Sequence, residues 1–178
     1  VGFQGLFIWV EGADDLRFFN KIVKPILEKR YSWVQVREYA KESSEYLTNF
    51  LKSIERMPAD YILVADMNSS PCVTHRKERL KKTFKKIDGT RTVVAIQEIE
   101  SWYLAGLNDI SSQRLGLPIF STTDRVTKEE FNTLKSNKFD FRTDFMVEIL
   151  NHFSLEMAKQ KNSSFKYFVE KYQLEMNQ

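Results

Sequence analysis

Short, unbroken apolar runs alternate with stretches of helical spacing along the first part of this chain. Leu6-Phe7-Ile8-Trp9-Val10 is rich in aromatic and branched side chains and is broken by Glu11-Gly12-Ala13-Asp14-Asp15, the pattern of a buried strand ending in a polar turn. Leu16, Phe19, Val23, Ile26 and Leu27 then recur at helical intervals, with Asp14 or Asp15 placed to cap the helix and Pro25 placed to kink or shorten it. Val34 to Tyr39 alternates apolar with polar residues and predicts a second, less buried strand. Ser43 and Ser44 introduce a helix with Tyr46, Leu47, Phe50, Leu51 and Ile54 on its inner side, stopped by Met57-Pro58. Tyr61-Ile62-Leu63-Val64-Ala65 reads as a third strand, buried on both faces, with Asp66-Met67-Asn68 at its carboxyl end. Pro71 suits the first turn of the next helix, whose inward stripe is Val73, Leu80, Phe84 and Ile87 and which Asp88-Gly89 closes. Thr92 to Ile96 is the fourth strand.

Strands alternating with helices predict crossover connections, and hence an α/β fold with a mainly parallel four-stranded sheet and helices on both faces. After Gly106 the pattern changes. A loop around Gly116 and Pro118 is followed by helical stretches near 127–135, 142–159 and 164–176, with no strand among them. Residues 1–106 are therefore expected as the α/β domain and 107–178 as an all-helical extension packed on it, a single structural unit. At 178 residues the chain is long enough for one well-buried core.

Composition removes several classes. The apolar run Leu6 to Val10 is far below the roughly 20 residues that a membrane-spanning helix needs, and no secretory leader is visible; a soluble, cytoplasmic protein with no membrane partner is expected. A single cysteine, Cys72, excludes an internal disulfide, and one Cys with distant His75 and His152 makes a poor zinc site. There is no phosphate-binding loop, no dinucleotide turn and no nucleophile elbow. The net charge of +3 is too small to imply nucleic acid by itself, but its distribution is uneven. Arg76, Lys77, Arg79, Lys81, Lys82, Lys85 and Lys86 stand against one acid, Glu78, and are expected on the outer surface of their helix.

In an open parallel sheet, ligands bind beyond the carboxyl ends of the strands. Glu11 sits at such an end on the first strand, Asp66 on the third, and Glu98 and Glu100 just past the fourth. Carboxylates brought together repel unless one is protonated or a cation neutralises them. Mg²⁺ or Mn²⁺ is the natural choice, since hard cations take oxygen ligands and keep waters that a phosphate can replace.

Val10-Glu11-Gly12-Ala13-Asp14-Asp15 resembles the V-E-G-x-x-D opening of TOPRIM domains, and Asp66-Met67-Asn68 falls where their D-x-D motif follows a buried strand. The resemblance covers roughly residues 6–106. Ile96 to Ala105 and Asn162 to Phe168 further resemble segments of a group of small stand-alone TOPRIM-like proteins related to phage-defence nucleases. It implies a Rossmann-like TOPRIM sheet, a metal-dependent nuclease, and nucleic acid as substrate, with a partner protein of a defence system or a homodimer as further associations. By position, Glu11 would be the general acid or base, Asp66 a metal ligand and Glu100 a further ligand or positioning acid; Asp15 would complete the first motif. Asn68 departs from the pattern, standing where most relatives have the second Asp; an amide oxygen still coordinates Mg²⁺ but removes a negative charge.

Each of these residues also has a plainer reading. Glu11 and Asp66 would be solvated strand ends, Asp15 a helix cap, Arg76 to Lys86 a solvated face, and His75 part of an exposed turn. Glu98 and Glu100 would face alike on an extended segment and diverge on a helix. Three functions follow as expectations: a Mg²⁺-dependent nuclease, a non-catalytic module binding nucleic acid or a partner protein, and a metal-dependent phosphatase of a small phosphorylated molecule.

Overall fold

In a computed structural model, residues 4–85 and 87–174 are described; Lys86 of the basic run and residues 175 and 176 of the expected last helix lie outside them. The chain divides into two compact units, Val1–Val94 and Ala95–Gln178.

The sheet has the order β2-β1-β3-β4, with β1 at Gly5–Val10, β2 at Trp33–Glu38, β3 at Ala59–Asp66 and β4 at Thr92–Ala95. β1 runs parallel to both neighbours, with Trp9 opposite Arg37 on one side and Leu63 on the other. The four strands fall within two residues of the expected ends. β1 is buried along its whole length, and so is Tyr61 to Ala65 of β3.

Alternation along the strands splits the core. Phe7 and Trp9 of β1 and Tyr61, Leu63 and Ala65 of β3 pack with Leu47, Leu51 and Ile54 of α3 (Ser44–Ile54) and Leu80 of α4 (Val73–Thr83). Leu6, Ile8, Val10, Ile62 and Val64 point to the other face and are buried as fully. Tyr46, expected inside α3, is instead 43% exposed. α3 begins as expected, with the Ser43 hydroxyl accepting from the Tyr46 N–H at 3.1 Å.

The first helical stretch is built from three pieces. α1 (Ala13–Phe18) passes through a π-helical turn, Phe19–Val23, into α2 (Lys24–Leu27). Pro25 would clash with the carbonyl four residues back in a regular helix, and the widened turn gives its ring room. Gly12, not Asp14 or Asp15, is the N-cap; Asp15 sits in the first turn and accepts the Gly12 N–H at 3.2 Å. Similarly, α4 starts after Pro71, at Val73, and ends at Thr83, ahead of Asp88-Gly89.

The second unit holds α5 (Glu100–Ala105), α6 (Asp109–Leu115), α7 (Lys128–Thr133), α8 (Arg142–Asn151), α9 (Leu155–Lys161) and α10 (Ser163–Tyr172). α6 lies in the stretch expected as a loop, capped by Asn108 and closed by left-handed Gly116. The helix expected over 142–159 is two helices, because the Ser154 hydroxyl caps a new one at the Met157 N–H. Trp102 lies edge-on to Phe165 and stacks on Phe168, all three buried. Asn162, 1% exposed, joins the segments: its amide nitrogen donates to Ser101 and Thr123, and its oxygen accepts from the Ser164 hydroxyl and the Phe165 N–H. Among the described residues no helix is long and apolar enough to cross a membrane.

Candidate functional site

Sheet hydrogen bonding continues past the ends of β1 and β2, with the Tyr39 N–H donating to the Val10 carbonyl at 2.9 Å and the Ala40 N–H to that of Glu11 at 3.2 Å. This extension sets Glu11 between Tyr39 on one side and the end of β3 on the other. Glu11 Oε2 accepts the backbone N–H of Asp66 at 3.2 Å and the Tyr39 hydroxyl at 3.2 Å. Glu11 Oε1 accepts the Asn68 amide nitrogen at 2.7 Å. Residues 55 and 57 positions apart in sequence are thus joined by a single carboxylate.

Past Asp66 the backbone turns through two consecutive left-handed residues, Asn68 at φ 44° and Ser69 at φ 50°. Asparagine tolerates that region better than most residues, while Ser69 carries strain of a kind that collects at functional sites. The turn leads within a few residues to α4, and here one expectation is corrected. Arg76 is not on the outer surface of α4. It is 8% exposed, its Nε–H donates to the Asp66 carbonyl at 2.7 Å, and Nη2 lies 3.2 Å from Glu11 Oε2. Arg79 reaches back to the Asn68 carbonyl at 3.4 Å and the Ser70 hydroxyl at 3.3 Å. Lys77 donates to the Gly89 carbonyl at 2.9 Å, and Lys81, Lys82 and Lys85 are exposed, as is His75.

Tyr39 and Arg76 are the members of this cluster that the sequence pattern does not reveal. Arg76 lies three residues after Val73 and four before Leu80, squarely on the inner stripe; its charge disguises its position. Burial first, and then the neighbouring Glu11 carboxylate, push the Tyr39 hydroxyl well above its ordinary range, with Arg76 opposing. Tyr39 is therefore a neutral donor to Glu11 across the working pH range.

Glu98 and Glu100 lie in the second unit and are engaged within it. Glu98 Oε2 accepts the Lys128 N–H at 2.5 Å, at the start of α7. Glu100 opens α5, is 2% exposed, and pairs with Arg142 Nη2 at 2.6 Å, with Lys128 Nζ at 3.9 Å. Burial raises the Glu100 carboxyl above its ordinary value, outweighing the lowering by Lys128 and Arg142.

The donor chemistry around Glu11 suits a hard cation. The Glu11 carboxylate meets an amide that can present oxygen in place of nitrogen, Asp66 is a second acidic position whose backbone adjoins that carboxylate, and magnesium and manganese take such ligands. Among the described residues, however, no three Asp, Glu, His or Cys side chains gather into a ligand set.

No protein-family model matches the chain, and no curated protein matches it. Among solved structures, the C-terminal region of the Xanthomonas campestris pv. campestris OLD protein is similar over 96% of this chain and 95% of that chain, with 14% identity and a TM-score of 0.44.

Proposed function

We propose that the cluster at the ends of β1 and β3 is a divalent-metal-dependent phosphoryl-transfer site acting on the phosphodiesters of nucleic acid. The observation that carries this reading is the hydrogen bond from the Asp66 N–H to Glu11 Oε2, 3.2 Å, which sets two acidic positions side by side at the carboxyl end of a parallel sheet. The resemblance of Val10 to Asp15 and Asp66 to Asn68 to TOPRIM motifs supports the same chemistry.

Glu11 is the group that would exchange a proton with the attacking water or the leaving oxygen, held in one orientation by Tyr39, Asn68 and Arg76. Asp66 and the amide of Asn68 would hold the metal. A bound Mg²⁺ or Mn²⁺ supplies polarisation of a phosphoryl oxygen and a more acidic water. The exposed Arg79, Lys81 and Lys82 would attract the polyanion without reading its sequence.

Incubating DNA and RNA with Mg²⁺ or Mn²⁺ and comparing the protein with Glu11→Gln and Asp66→Asn tests this. Cleavage that needs the metal and is lost in both variants is the expected result; cleavage indifferent to both changes rules the site out. A second reading, a non-catalytic nucleic-acid-binding module, is favoured by the amide of Asn68 where an acid would serve. It predicts salt-sensitive binding with no metal-dependent turnover.

A further inference from the structure

We propose that Arg76 is the resident cation of the strand-end cluster, so that the cluster accepts a single divalent ion and does so in competition with the guanidinium. The inference rests on the metal-dependent reading above and specifies its stoichiometry and control.

Three observations carry it. Arg76 is buried and anchored on two strands at once, by its Nε–H on the Asp66 carbonyl of β3 and its Nη2 on the Glu11 carboxylate at the end of β1. A guanidinium does not lose its proton in proteins, so this charge is permanent. The carboxylates that act on the Tyr39 hydroxyl, Glu11, Asp15 and Asp66, stand against one guanidinium and leave two formal negative charges, and Asn68 adds none. One divalent ion already cancels that remainder, and a second would meet net repulsion until an anionic substrate arrived. The same Oε2 that meets Arg76 also accepts from Tyr39 and Asp66, whereas Oε1, on the other side of the carboxylate, accepts from Asn68. The competition is therefore electrostatic first, acting across the carboxylate.

The test is Mn²⁺ titration of the full chain, reading free Mn²⁺ by electron paramagnetic resonance, for the wild type, Arg76→Met and Arg76→Lys. One ion per wild-type chain is expected. Arg76→Met should bind Mn²⁺ about tenfold tighter or more, as removal of a nearby positive charge requires, while Arg76→Lys, which keeps the charge, should stay near the wild type. Two ions in the wild type, no gain in Arg76→Met, or an Arg76→Lys that matches Arg76→Met would overturn the proposal. If Arg76→Met does not fold, the Arg76 Nε–H resonance of the wild type gives the answer: it should shift with added Mg²⁺ and saturate at one equivalent, and an unmoved signal counts against. Binding in the wild type without a gain in Arg76→Met sinks the competition and leaves the metal site standing. Binding only in Arg76→Met supports the competition and removes the metal-dependent reading of the native chain, and binding in neither removes both.

Discussion

Arg76 and Glu11 meet at 3.2 Å although 65 positions separate them, and the same guanidinium holds the carbonyl of Asp66 at 2.7 Å. One side chain of α4 thus ties together the ends of two neighbouring strands. The carboxylate it meets is oriented from four directions, by Arg76, Tyr39, Asn68 and the amide of Asp66, and each of the three side chains can be altered separately.

Asn68→Asp is the most direct change. The new side chain has nearly the same shape and tolerates the left-handed backbone, but it places a carboxylate oxygen where an amide nitrogen now donates to Glu11 at 2.7 Å. In chelator, the variant should lose about 1 kcal/mol, a figure kept small because both groups are partly exposed. Added Mn²⁺ should restore more stability to it than to the wild type. Thermal melts with and without metal measure this, and an unchanged melting temperature in chelator would contradict the placement.

Glu100 makes stability depend on pH. Its carboxyl is raised above the ordinary value by burial, so the folded chain binds more protons than the unfolded one in the window between the two values. Stability is then fully present below the unfolded value, about 4.3, and falls as pH rises through the folded value. Glu100→Gln removes the titration. Denaturant melts between about pH 4 and about pH 8, a range that starts near the ordinary carboxyl value, should show the wild type losing stability relative to the variant with rising pH; parallel curves would refute the shift.

Asn162→Ala should cost roughly 2–4 kcal/mol, because it deprives several buried groups of partners at once. The Ser101 and Thr123 hydroxyls lose a donor, and the Ser164 hydroxyl and Phe165 N–H lose an acceptor. Urea denaturation would measure the loss, and a change under about 0.5 kcal/mol, the usual size for a surface substitution, would show the network to be dispensable.

Lys81 and Lys82 test the nucleic-acid surface apart from the chemistry. Both are exposed on α4, away from the inward Arg76. If they neutralise phosphates, the double change to Gln should weaken binding of DNA or RNA at low salt and flatten the dependence of log K on log salt by about 0.9 for each phosphate of duplex DNA left without its lysine. An unaltered slope would place the polyanion elsewhere.

The sheet is readable in the sequence because continuous apolar runs and their polar breaks report burial directly. Glu11 and Asp66 are readable for the same reason, as the first charges after such runs. Arg76 is not, since helical spacing puts it on the inner stripe while its charge argues for water, and only the acidic neighbours supplied by other strands resolve that conflict. Tyr39 passes as the last residue of an amphipathic strand. The break at His152 to Ser154 is invisible to periodicity, because α8 and α9 each carry an apolar face and a serine cap is a single-residue signal.

The paired left-handed residues Asn68 and Ser69 let the chain leave β3 and enter α4 with only Met67 to Cys72 between them. Segment length is consequently a determinant of charge placement. Successive helical residues point about 100° apart around the axis, so one residue inserted or deleted early in α4 would swing the guanidinium away from Glu11. A substitution in this stretch preserves the count and with it the alignment, whereas a change of length does not.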